Sequence, residues 1–169
     1  FNALRIPAIG ILVFTLVACE SSATGPSSTF NRNYSAARTA LEQGNYDVAV
    51  NLYEAMIPNA GPREARLRLD YSHALLRTGR YKDAATEAKA LADKHQGALR
   101  AAALAVYGTA KHELAIQAIE KQDYNFATET LLRDALGALI AMMQLDSSQD
   151  QHGAMSGRIR EIRSQIVDR

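Results

Sequence analysis

From Phe30 onward the chain sets apolar residues three and four apart and breaks them with short polar interruptions that contain glycine or proline. That period lines apolar side chains along one face of an α-helix. It predicts helices near residues 30–43, 46–57, 62–78, 81–95, 98–120 and 124–145. The breakers are Gly44-Asn45, the stretch from Pro58 to Pro62, Gly79-Arg80, Gly97, and residues 121–123. Glycine just past a helix supplies the left-handed residue that ends it, Asn45 and Asp123 suit the start of the next, and Pro62 fits a first turn. A last segment, about 149–167, is interrupted by Gly153 and Gly157, which weaken a helix. Its tail still makes one stripe of Ile159, Ile162, Ile166 and Val167.

The amino end follows another rule. Arg5 precedes an apolar run from Ile6 to Ala18, 13 residues long and containing Pro7 and Gly10. A membrane span needs about 20 apolar residues, so a processed export signal is the better reading. The run closes in Leu16-Val17-Ala18-Cys19, and this tetrad resembles the lipobox of bacterial lipoproteins. The resemblance implies cleavage before Cys19, a diacylglycerol thioether on its sulfur and acylation of the new amino terminus. Residues 1–18 are then signal and residues 19–29 a lipidated cysteine with its tether. Glu20 to Thr29 holds no large apolar side chain, so it is expected to be flexible, with a reach on the order of 17 Å. Glu20 stands where the resemblance puts aspartate as an inner-membrane retention signal, which points to the outer membrane, on its periplasmic face.

Composition changes the picture in two ways. Removal of residues 1–18 leaves 151 residues, enough for one domain, 30–169, that buries about two-thirds of its unfolded surface. Cys19 is the sole cysteine, so neither a disulfide framework nor a thiolate metal site is available. The full chain carries 19 basic and 18 acidic side chains, and nothing in that balance points to nucleic acid. Abundant alanine, no tryptophan and few β-branched residues suit closely packed helices.

A repeat specifies the fold further. Gly44, Tyr46 and Ala49 fall on Gly79, Tyr81 and Ala84, a period of 35 residues. A looser third copy aligns Tyr124 and Ala127 with the same slots but has Gln122 for the glycine. With Tyr53 four residues after Ala49, the pattern resembles the tetratricopeptide repeat, a unit of about 34 residues made of two antiparallel helices. The resemblance implies an all-α fold, a short α-solenoid of about three helix pairs plus a C-terminal capping helix. Position eight of the unit, often glycine, is Ala37, Ser72 and Ala115. The third copy follows the second by 43 residues, so its pair is expected to be splayed and covered by the last helix.

The titratable residues offer one partial match to a catalytic motif. His112-Glu113 begins like a His-Glu-x-x-His zinc motif, but residue 116 is isoleucine. His95 reads as a cation at a helix end, and the Met142-Met143 pair and Met56 as core. No nucleophile elbow, phosphate loop or carboxylate pair is present, and the chain is expected not to be an enzyme. No cofactor is expected apart from the lipid on Cys19.

The resemblance then implies a groove lined by the first helix of each unit through positions two, five, nine, twelve and thirteen. These fall on Asn31, Tyr34, Arg38, Leu41 and Glu42, then on Arg66, Leu69, His73, Leu76 and Arg77. In the third copy they fall on Thr109, His112, Ile116, Ile119 and Glu120. Arginine forks suit a carboxylate or the carbonyls of a peptide. Alternatively the arginines stack over neighbouring helices. The family's chaperone-tail clamp relies on Asn and Lys that are absent here. The expected function is a non-catalytic, lipid-anchored adaptor that holds a protein or peptide during assembly of an envelope complex. No nucleic acid or small-molecule substrate is expected. The domain plan is similar to tight-adherence pilus assembly lipoproteins and to secretin pilotins. A regulator of a cell-wall enzyme and a permanent subunit of a membrane complex remain alternatives.

Overall fold

The computed structural model describes residues 26–167. Cys19, the apolar run and residues 19–25 of the expected tether lie outside the described residues. Seven α-helices follow one another: α1 Pro26–Glu42, α2 Tyr46–Met56, α3 Glu64–Arg77, α4 Tyr81–Lys94, α5 Gly97–Glu120, α6 Phe126–Leu145 and α7 Ala154–Val167. Short 3-10 turns occupy Ile57–Asn59, Gly61–Arg63 and Ser147–Asp150. Helix α1 begins four residues before Phe30, so the last part of the expected tether is helical.

Three turns share one geometry. In the first, Asn45 N donates to Ala40 O (2.8 Å) and Gly44 N to Leu41 O (3.2 Å). Arg80 and Gly79 make the same bonds to Leu75 O and Leu76 O, and Asp123 and Gln122 to Ala118 O and Ile119 O. This double closure requires a left-handed residue at its centre. Gly44 (φ 80°), Gly79 (φ 77°) and Gln122 (φ 59°) supply it. The third copy therefore keeps the repeat's turn without its glycine.

It departs just afterwards. Asn125 caps α6, its Oδ1 accepting from Ala127 N (2.8 Å) and Thr128 N (3.2 Å), whereas the copies before it start their helices directly after the turn. The spacing is the same, but the helix starts two residues later and is turned accordingly. Ala49 and Ala84 are fully buried, but Ala127 faces solvent and Thr128 takes the inner slot. The expected alignment at Ala127 is corrected by one residue.

Packing is between neighbours. One cluster joins α1 to α4 around Tyr53, Leu67 and Leu75, and a second runs from α3 to α6 around Leu69, Leu91, Leu104 and Met142. A third gathers Leu132, Leu139, Ile159 and Ile162 from α6 and α7. Position eight is shut in every unit, with Ala37, Ser72 and Ala115 all at 0 % exposure. The third pair is not splayed. A Cβ on Gly108 of α5 would lie 2.7 Å from Leu139 Cγ and 3.1 Å from Ala135 O of α6, so the two backbones meet closely. Helix α7 covers the pair's open side, as expected of a cap.

Candidate partner-binding groove

The odd-numbered helices form one layer, and the contacts between them decide which groove positions stay open. Position five is used each time to join the next helix of that layer. On α1, Tyr34 donates its hydroxyl to Asp70 Oδ2 of α3 (2.7 Å) and stacks on Phe30 with centroids 6.1 Å apart. On α3, Leu69 is only 4 % exposed and packs in the cluster shared with α4, α5 and α6. On α5, His112 is fully buried, with Nε2 2.9 Å from Gln165 Oε1 and Nδ1 2.9 Å from Arg158 Nη1 of α7. Two expectations are corrected here: Leu69 and His112 are not groove-lining residues, because the following helix sits on them. Tyr34 is half-buried and serves the α1–α3 clasp.

The remaining positions except Leu76 are open in the first two units. Arg38, Leu41 and Glu42 of α1 face His73 and Arg77 of α3 across a depression of about 430 Å³, with Asp70 and Tyr46 completing its wall. Arg38 Nη2 donates to Glu42 Oε1 (3.1 Å), one helical turn on. Arg77 Nη2 donates to the Tyr46 hydroxyl (2.6 Å), and its guanidinium lies 5.0 Å above that ring. The stacking alternative therefore describes Arg77, and the repeat tyrosine Tyr46 is its platform. Farther along α3, the Arg66 side chain is 64 % exposed, with Nε 3.5 Å from Asp70 Oδ2. Leu76 is half-buried and packs against the core clusters instead of lining the hollow.

Asp70 is the residue missed in the sequence. It is buried at 7 % exposure and shared between Tyr34 and Arg66, so its charge is taken up inside the wall. Its neighbours in the charge-dense run 63–70 gave no sign of which carboxylate would turn inward. His73 is open to solvent yet lies in the hollow, and the protein around it lowers its pKa. Asp70 opposes that shift and Arg66 adds to it. Near neutral pH the hollow thus offers arginine charge and a neutral imidazole donor or acceptor. Such forks take carboxylates or peptide carbonyls through paired N–H groups.

The third unit contributes nothing to this opening. Thr109 Oγ1 lies 3.9 Å from Met155 Sδ of α7, and Ile119 packs in the cluster formed with α7.

The profile of the tetratricopeptide repeat matches residues 40–106. That span runs from the end of α1 through α2, α3 and α4 into α5. It includes the α3 wall of the hollow and both glycine-centred turns. Comparison with curated proteins and with solved structures gave no match.

Proposed function

We propose that the tetratricopeptide repeats of this chain act as a non-catalytic adaptor, holding an acidic protein segment in the hollow between α1 and α3. Repeats of this family are scaffolds for protein–protein contact. The observation that carries the reading is the convergence of Arg38, Arg77 and His73 on one opening, with Arg66 beside it. Its carboxylates are engaged within the wall: Glu42 with Arg38, and Asp70 with Tyr34 and Arg66.

Attachment is through lipid on Cys19, on the periplasmic face of the outer membrane, and the adaptor serves assembly of an envelope complex of the pilus or secretin kind. The motif at residues 16–19 and the position of Glu20 support this reading. No helix among the described residues is long and apolar enough to cross a membrane.

Photo-crosslinking in cells from a probe at Arg66 tests the groove, because that side chain reaches solvent and Leu69 does not. The expected result is one discrete protein adduct, lost on the charge reversal Arg77→Glu. Adducts arising instead from Lys89, at the depression between α4 and α6, would overturn the assignment in favour of a subunit packed by its outer face. For the anchor, Cys19→Ala is expected to move the protein out of the detergent-extracted membrane fraction. Unchanged extraction would sink the lipoprotein reading.

A further inference from the structure

Helix α7 lies across the odd-layer face of α5 and buries His112 there. The two partners of the imidazole settle its tautomer. A guanidinium only donates, so Arg158 Nη1 gives its proton to Nδ1, and the ring proton sits on Nε2 and goes to Gln165 Oε1. A second proton has one place to go, Nδ1. There it would displace the bond from Arg158 and set two cations against each other in a buried site. Both partners, Arg158 and Gln165, belong to α7.

We propose that α7 is a releasable cover, seated only while His112 is neutral, so that mild acid undocks it and uncovers the third unit's groove face.

The charged groups around the ring come from two helices. Glu113 of α5 accepts from Arg158 Nη1 (2.8 Å), and Glu161 of α7 lies near; both favour the imidazolium. The face of α6 packed here is apolar, through Leu132, Ala135 and Leu139. Burial is the largest influence and lowers the pKa, Gln165 counters it, and Arg158 lowers it again. The seated form therefore binds fewer protons than the released one, whose histidine titrates near 6.5. Seating is at full strength above about pH 6.5. Below it, the seated-to-released ratio falls about tenfold per pH unit until the seated pKa is reached. The helix start does not share this window. Asp150 accepts from Met155 N (2.7 Å), Ser156 N (3.0 Å) and Ser156 Oγ, and these bonds, the hydroxyl foremost, hold its pKa below the ordinary carboxylate value.

What the uncovered face binds rests on the groove reading; release of α7 does not, and the test reads release alone. Backbone hydrogen exchange of the full chain is measured at pH 7.5 and pH 5.0 and corrected for intrinsic rates. Protection of residues 154–167 is expected to drop severalfold while that of α1 and α2 holds. His112→Gln should abolish the difference between the two pH values. Equal protection of α7 at both in the wild type would overturn the proposal, as would an undiminished drop in His112→Gln. Should that variant fail to seat α7 at all, Gln165→Glu decides, because a carboxylate facing Nε2 favours the imidazolium. A flattened pH dependence supports the proposal, and a drop like the wild type's overturns it.

Discussion

Gln122 does the work of glycine at a cost. It is the one non-glycine residue with positive φ among the described residues, and it occupies the centre of a turn that two other copies build with Gly44 and Gly79. A side chain in that conformation costs about 1–2 kcal/mol, part of which glycine returns through its freer unfolded chain. Gln122→Gly is therefore expected to stabilise the fold by about 1 kcal/mol, read by chemical denaturation. Tyr53 offers a second test at this scale. Its hydroxyl is buried with no partner among the described residues, and burial, aided by Asp70 and Tyr34, drives its pKa well above the ordinary phenol value. Removing an unpaired buried hydroxyl relieves a desolvation penalty of about 1 kcal/mol or more. Tyr53→Phe should raise the melting temperature by about 2–4 °C, whereas a lower value would mean that the hydroxyl has a partner in solution.

Between elements, the α5–α6 pair can be probed by one substitution made twice. Gly137 lies mid-helix on α6 with nothing within 4 Å of an added Cβ, so Gly137→Ala should gain about 1 kcal/mol from helix propensity. Gly108→Ala gains the same propensity but drives its methyl into Leu139, a fully buried side chain without room to yield. Overpacking of this kind costs about 1–3 kcal/mol, so a net loss near 1 kcal/mol is expected. Opposite signs for the two variants, measured by urea denaturation, would establish that the third pair is tight. The longer spacing of the third copy had suggested the reverse. Spacing reports helix length, and here the extra length went into a longer contact, with Gly108 admitting the neighbour.

Across the molecule, the arginines that line one hollow can be tested together. The chain as a whole is nearly neutral, with a formal net charge of +1, yet arginine side chains gather around the hollow between α1 and α3. The double reversal Arg66→Glu with Arg77→Glu is expected to abolish partner capture while changing stability by no more than about 1 kcal/mol. Solvent-exposed side chains of this kind contribute little to the fold. Loss of the fold itself in that variant would show that Arg77 on Tyr46 is a structural contact first. Helix α7 also belongs to this scale. It stands where the inner helix of a further unit would stand, and it covers Leu132 and Leu139 with Ile159 and Ile162.

The helices, their turns and the repeat were legible in the residues alone. Periodicity, a glycine after a helix and a capping residue before one act within a few positions of the chain. Boundaries such as Tyr46, Tyr81 and Glu120 follow from those local signals. Ala37, Ser72 and Ala115 stood out only as departures from the unit's usual glycine, and their full burial came from the packing. What remained hidden depended on a residue's neighbours from elsewhere in the chain. Leu69 and His112 carry the right position in the repeat to line a groove, but each is covered by the next helix of its layer. Asp70 looked like one charge among many in an exposed run until Tyr34, 36 positions away in sequence, turned it into part of a wall. Only the tertiary structure decided which faces stay open, because burial is a property of the packed pair and not of either helix alone.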